Sequence, residues 1–122
     1  MKLRNTILIV FVFVGMTRCY YDNEAVLYPG SSCKPVANPA FTADVMPILN
    51  NRCNNCHGGS SPSAGIKLDS YAEVLKSVNN SSLMGSINHE SAFSPMPKNA
   101  AKMNSCEIQK IQDWITQGKL NN

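Results

Sequence analysis

Apolar residues recur at helical intervals in four stretches of the 122-residue chain. Spacings of three and four residues place side chains on one face of a helix, so each stretch predicts a helix with one buried side. The four apolar stripes are Val45, Ile48, Leu49 and Cys53; Tyr71, Val74, Leu75 and Val78; Leu83, Met84 and Ile87; and Ile108, Ile111 and Ile115 with Trp114 beside them. The pattern therefore predicts a small all-α domain.

Polar residues and glycine mark the ends of the first and last helices. The first helix is predicted to begin near Thr42 or Asp44, with Asp44 as a candidate N-cap. The last is predicted to begin at Asn104, with Glu107 three residues later as the second member of a capping box. Gly118 is the predicted stop of that helix.

The N-terminal residues follow a different pattern. Two basic residues precede a continuous apolar run at residues 7–14, which is shorter than the roughly 20 residues that span a bilayer. This pattern is typical of an export signal, predicted here over residues 1–18. Residues 19–40 are rich in proline, glycine and serine near their end and predict an irregular tether, which leaves residues 41–122 as the folded domain.

The leader ends in Met16-Thr17-Arg18-Cys19, which is similar to a bacterial lipobox. In a lipobox the cysteine is lipidated and becomes the first residue of the mature chain. Arg18 stands where a small residue is usual, so two interpretations stay open: a lipid anchor at Cys19, or an unlipidated or uncleaved leader that tethers the protein. Both predict an extracytoplasmic protein, in the periplasm or cell envelope, held at a membrane surface.

The most specific pattern in the chain is Cys53-Asn54-Asn55-Cys56-His57, called the haem motif below. Cys-x-x-Cys-His is the attachment signature of a c-type haem. The two thiols share one side of a helical turn, so each can add to one vinyl group of the porphyrin. His57 follows directly and is the candidate proximal iron ligand. Two alternatives stay open: a zinc site formed by these three residues, and a redox dithiol.

The other cysteines suggest a disulfide. Of the five cysteines, two belong to the haem motif and Cys19 belongs to the leader, which leaves Cys33 and Cys106. An exported protein folds in an oxidising compartment, so we expect these two residues to be bonded. The alternative is two separate buried thiols.

Met96 is the candidate for the second axial ligand of the iron. It lies between Pro95 and Pro97, and two prolines stiffen a loop so that it holds a side chain at a fixed reach. A thioether is a soft ligand that suits a low-spin haem iron and raises its reduction potential. His89 is the rival distal ligand, and Met103 is a weaker candidate.

The charge balance narrows the classes of partner. The chain carries a formal net charge of +3, but three of its 11 basic residues lie in the predicted leader, and the other eight balance eight acidic residues. A nearly neutral domain lacks the basic patch that nucleic acids require. Weak long-range steering is expected, so we predict that redox partner proteins dock on an apolar surface around an exposed haem edge.

Three features together resemble the single-haem class I c-type cytochrome family over residues 41–118. They are the haem motif, the loop Ser94-Pro95-Met96-Pro97, and a terminal helix that carries Trp114. The run at residues 64–70 is also similar to planctomycete-type cytochrome c domains. The resemblance implies a small helical fold around one covalent haem, with the first and last helices crossing.

The resemblance also implies the ligands and the function. It implies thioethers at Cys53 and Cys56, proximal His57 and distal Met96. Protein ligands on both faces leave the iron no open position for a substrate, so the resemblance implies a one-electron carrier rather than an enzyme. The alternatives are a five-coordinate haem sensor, a small haem enzyme, or a structural zinc module.

Overall fold

The computed structural model describes residues 33–122, so the predicted leader, Cys19 and the first part of the tether lie outside the described residues. Within that range the chain forms helices and irregular segments, without a β-strand. A π-helical turn, Phe41–Val45, leads into α1 (Met46–Arg52) and the short α2 (Asn54–His57); a 3-10 turn, Ser63–Gly65, precedes α3 (Tyr71–Asn79), α4 (Ser82–Asn88) and α5 (Ser105–Thr116). The predicted all-α class is confirmed.

The predicted apolar stripes supply most of the core. Each of the four contributes at least one buried residue, because residues three and four apart face the same neighbour. The buried hydrophobic residues are Phe41, Val45, Leu49, Leu68, Val74, Val78, Leu83, Ile87, Met103, Ile108, Ile111 and Trp114. Met103, the weaker of the distal-ligand candidates, therefore lies in the core.

An aromatic cluster joins the start of the first helical segment to the last helix. The ring centroid of Phe41 lies 5.3 Å from that of Trp114 and 5.2 Å from that of Tyr71, which it meets edge to face. Such pairs stabilise a core beyond the area that they bury. The Trp114 indole is only 1% exposed and donates from Nε1 to the carbonyl of Leu120 at 2.9 Å. The turn before α1 is thereby packed against α5.

Of the two predicted starts of the first helical segment, Thr42 lies within one residue of the observed start, whereas Asp44 lies three residues after it. Helical geometry starts at Phe41, and Asp44 lies inside that turn. The Asp44 carboxylate reaches backwards and accepts a hydrogen bond from the Ala40 backbone N–H at 2.9 Å. The prediction of Asp44 as N-cap was therefore wrong, because an acidic side chain in the first turn can satisfy a free N–H from inside the helix as well as from its cap position.

The start of α5 confirms one half of the predicted capping box. Asn104 is the N-cap, and its Oδ1 accepts from the Cys106 backbone N–H at 2.8 Å. Glu107 does not act as the second member of the box, because its carboxylate binds Arg52, with Nε and Nη2 at 3.0–3.1 Å. An ion pair with two parallel hydrogen bonds has displaced the local capping contact. The helix ends at Thr116, two residues before Gly118, whose φ is +107°.

The described part of the tether runs along α5. Cys33 is disulfide-bonded to Cys106 in the first turn of α5, across a sequence separation of 73 residues. Further on, the Val36 backbone N–H donates to Asp113 Oδ2 at 3.0 Å, and the Asn38 N–H donates to Gln117 Oε1 at 2.8 Å. Residues 33–38 therefore follow the helix from its first turn to its last, although they contain no regular structure of their own.

Candidate haem-binding site

The haem motif occupies a bend at the end of the first helical segment. Cys53 closes α1 by donating from its backbone N–H to Leu49 at 2.8 Å. Its own carbonyl then accepts from the N–H groups of both Cys56 and His57, at 3.0 and 2.9 Å. Cys53, Cys56 and His57 therefore share a single helical turn, and both cysteines are free thiols.

The two thiols lie in different surroundings. Cys53 packs against the core, and burial, reinforced by the nearby Glu107 carboxylate and opposed by Arg52, raises the pKa of its thiol to about 11. Cys56 is exposed on the same turn. A group bonded to both would therefore be attached through one partly buried sulfur and one exposed sulfur.

His57 is oriented by a backbone carbonyl. Its Nδ1 lies 3.1 Å from the carbonyl oxygen of Ile66, which can only accept a hydrogen bond, so Nδ1 carries the proton. The lone pair of the neutral ring then resides on Nε2, the atom available to a metal. The His57 carbonyl accepts from the Leu68 N–H at 2.7 Å, so the ring and the backbone of His57 are both hydrogen-bonded to residues 66–68. A carbonyl that fixes the tautomer of a ligand histidine is a typical outer-shell contact.

The loop after the motif is held close to it by two glycines. A Cβ on Gly58 would lie 2.7 Å from the carbonyl oxygen of Asn54, closer than a side chain permits. Gly59 has a φ of +75°, in the left-handed region that glycine adopts without strain, and its N–H donates to Asp69 at 3.0 Å. These contacts turn the chain back so that Ile66 can reach His57.

Met96 lies on the irregular segment between α4 and α5. Its backbone N–H donates to the carbonyl of Ser86 at 3.0 Å, and its carbonyl lies 3.0 Å from Nε2 of His89. The residue is half-buried. Both polar backbone atoms of Met96 are therefore bound to the C-terminal end of α4.

Phe93 packs the same segment onto α4. A Cβ on Gly85 would overlap the Phe93 ring, so the ring lies directly on the Gly85 backbone. This contact and the His89 contact were not apparent from the sequence, because both depend on how an irregular loop folds back on a helix. The glycine inside the α4 pattern is the one signal that marks a close approach.

The donor set suits a covalently held haem better than a zinc ion. Two free thiols lie on one turn beside an imidazole with its lone pair on Nε2, and a thioether lies on a separate segment. Within residues 33–122 no group of three His, Cys, Asp or Glu side chains converges as a metal-binding cluster. Structural zinc needs four such ligands in one tetrahedral shell, so the zinc alternative gains no support from the described residues.

Comparison with known families gives a match that covers this part of the chain. Residues 53–99 match the planctomycete cytochrome c family. The match begins at Cys53 and extends beyond Met96, so it contains the haem motif, His89 and the candidate distal ligand. It supports a planctomycete-type cytochrome c domain in this part of the chain. No curated protein and no solved structure matches the chain significantly.

A cytochrome c domain indicates a haem-binding, electron-transfer role, and it points to an electron carrier rather than an enzyme. Cytochrome c domains are typically extracytoplasmic. Within the described residues every helix falls short of the length and apolar character that a membrane crossing requires. The predicted lipid anchor at Cys19 lies outside these residues and stays a prediction.

Proposed function

We propose that this cytochrome c domain is a one-electron carrier with a single haem bound through thioethers to Cys53 and Cys56. The observation that carries the proposal is the shared helical turn: both thiols are free on it, and His57 beside them holds its lone pair on Nε2. Bound there, the haem iron would accept and release one electron. The Ile66 carbonyl would keep His57 in the tautomer that binds iron, and raise the basicity of Nε2.

The proposal assigns Met96 as the second axial ligand. Its backbone is fixed at both polar atoms, and the competing Met103 is 8% exposed within the core. His89, the other candidate, is engaged through Nε2 with the Met96 carbonyl. A methionine opposite a histidine raises the reduction potential and fills the last position of the iron. With both faces closed by protein, the iron would pass electrons and would offer no position for a substrate.

The proposal extends to location and partners. The export-signal pattern and the lipobox-like run at residues 16–19 support an extracytoplasmic protein anchored through a lipid on Cys19. The balanced charge of the mature chain supports redox partner proteins that dock by apolar contact rather than by electrostatic steering. The acyl mass on the purified N-terminal peptide tests the anchor directly.

Covalent attachment is tested by exporting the full chain in a host with c-type haem maturation machinery. We expect haem to stay with the polypeptide on a denaturing gel, and to be lost when Cys53→Ala and Cys56→Ala are combined. The matched control combines Cys33→Ala with Cys106→Ala, which removes the same number of cysteines and should keep the stain. A wild-type chain without haem would contradict the proposal.

A further inference from the structure

The C-terminal end of α4 is hydrogen-bonded to the segment that carries Met96. The Ser86 carbonyl accepts from the backbone N–H of Met96 at 3.0 Å and from that of His89 at 3.2 Å. The His89 side chain adds a further contact, with its Nε2 at 3.0 Å from the Met96 carbonyl oxygen. The backbone N–H and the carbonyl of Met96 are therefore both hydrogen-bonded at the end of α4, to Ser86 and His89, which are three positions apart.

His89 is placed for this contact by its backbone. It ends α4 in the left-handed conformation, with φ +59° and ψ +39°, which turns the chain out of the helix. Histidine is one of the residues that adopt this region most readily after glycine. A carbonyl only accepts, so Nε2 of His89 carries the proton and donates it. An imidazole that donates from Nε2 to a carbonyl is not presenting that nitrogen to iron.

We propose that His89 is a positioning residue that holds Met96 for the distal face of the haem. The role rests on the proposed function, in which Met96 ligates the iron. A thioether is a neutral ligand, and an external ligand displaces it when the segment that carries it moves freely. Pro95 and Pro97 restrict the backbone on either side, and the His89 hydrogen bond supplies the tertiary contact that fixes where the restricted segment lies.

The test uses the oxidised holoprotein and imidazole as a competing ligand. The weak red charge-transfer band of Met–Fe(III) ligation reports how much Met96 is bound. His89→Asn suits the left-handed backbone but is too short to reach the Met96 carbonyl. We expect imidazole to abolish the band with an apparent Kd about fivefold lower than for wild type, because a lost hydrogen bond weakens Met96 by about that factor.

Two variants separate positioning from general destabilisation. His89→Gln places an N–H at a reach similar to Nε2 and should restore the apparent Kd to within about twofold of wild type. Gly118→Ala strains a left-handed residue beyond the end of α5 and should lower the melting temperature while leaving the imidazole Kd unchanged. An unchanged Kd in His89→Asn, or an equal decrease in Gly118→Ala, would overturn the proposal.

A measurement on the wild-type protein needs no variant to fold. In reduced holoprotein labelled with ¹⁵N-histidine, the His89 ring should carry its proton on Nε2; a bare Nε2 would overturn the role. If wild type binds haem but shows no charge-transfer band, the Met96 ligation fails and the role fails with it. If the band is present and His89→Asn behaves as wild type, only the role of His89 fails.

Discussion

Two axial candidates are each fixed through a backbone carbonyl, but in opposite senses. At the candidate proximal ligand the carbonyl of Ile66 fixes the ring of His57, whereas at the candidate distal ligand the ring of His89 fixes the carbonyl of Met96. A carbonyl accepts only, so both contacts also determine where the ring proton resides. The first contact leaves Nε2 of His57 free to bind a metal, whereas the second engages Nε2 of His89 in a hydrogen bond.

The unequal surroundings of the two motif thiols predict unequal reactivity in the haem-free protein. With a pKa of about 11, Cys53 is about one part in a thousand thiolate at pH 8, and thiolate is the reactive form. We expect iodoacetamide to label the exposed Cys56 first, and labelling of Cys53 to accelerate only as the pH rises toward 11. Peptide mass spectrometry over a series of times measures both rates.

Substitutions that each remove one charge test the direction in which neighbouring charges shift the Cys53 pKa. Glu107→Gln removes a negative charge that raises the Cys53 pKa, so it should lower the pKa and speed the labelling of Cys53. Arg52→Gln removes the opposing positive charge and should slow it. Lys110→Gln, on the same helix, is the matched control because its ion-pair partner is Asp44. Faster labelling of Cys53 than of Cys56 in the parent would contradict the account.

At the scale of elements, α4 and the loop that follows it behave as one unit. Replacing a helical glycine with alanine ordinarily stabilises a helix by up to about 1 kcal/mol. At Gly85 the added methyl would meet the Phe93 ring, so we expect Gly85→Ala to destabilise the protein by about 1–3 kcal/mol. Denaturant unfolding measures the difference.

A double-mutant cycle tests whether the destabilisation caused by Gly85→Ala arises from the Phe93 ring. In a Phe93→Ala background the obstructing ring is gone, so Gly85→Ala should become neutral or stabilising, with a coupling energy of at least about 1 kcal/mol. Ser82→Ala at the first position of α4 is the comparison: it adds no atom and removes only the hydroxyl that donates to the Ser77 carbonyl at 3.2 Å, so its cost should be the same in both backgrounds. Additive effects of the two substitutions would mean that the loop does not rest on α4 through this contact.

The tether is joined to α5 by one disulfide and several hydrogen bonds, and we expect these to contribute differently to the free energy of unfolding. The disulfide closes 73 residues, and loop-closure entropy for that length contributes about 4 kcal/mol at most. We expect Cys33→Ala with Cys106→Ala to lower the free energy of unfolding by about 2–4 kcal/mol.

Gln117→Ala supplies the comparison for the tether. It removes the hydrogen bonds of Gln117 to Asn38 and Val36 while the covalent loop stays closed. Its cost should stay below about 1.5 kcal/mol, because exposed hydrogen bonds exchange readily with water. Guanidinium unfolding compares the two, and equal losses would show that the disulfide adds nothing beyond the local contacts.

Over the whole molecule, local and periodic features were predictable from the sequence, whereas contacts between segments were not. The apolar stripes predicted the helices, and Asn104 was identified as a cap because its partner lies two residues away. Glu107 was assigned to the same cap, but Arg52 lies 55 residues earlier and no local pattern reveals their pairing. Competition between local and distant partners is decided only by the fold.

The same distinction applies to the site. The haem motif is contiguous, so its spacing alone predicts the attachment chemistry. The segment around Met96 depends on Ser86, His89 and Gly85, which lie 7 to 11 residues earlier on a different element. The sequence indicates His89 as a possible ligand, but its hydrogen bond to the Met96 carbonyl depends on how the loop folds back onto α4.

Carbon monoxide binding to the reduced holoprotein tests whether protein ligands close both faces of the haem. Carbon monoxide binds rapidly only where an iron position is open. If they do, binding to wild type is slow, because it is limited by release of Met96, and binding to Met96→Ala is fast. Fast binding to wild type, unchanged by Met96→Ala, would show that the iron has an open position and would favour a haem sensor or enzyme.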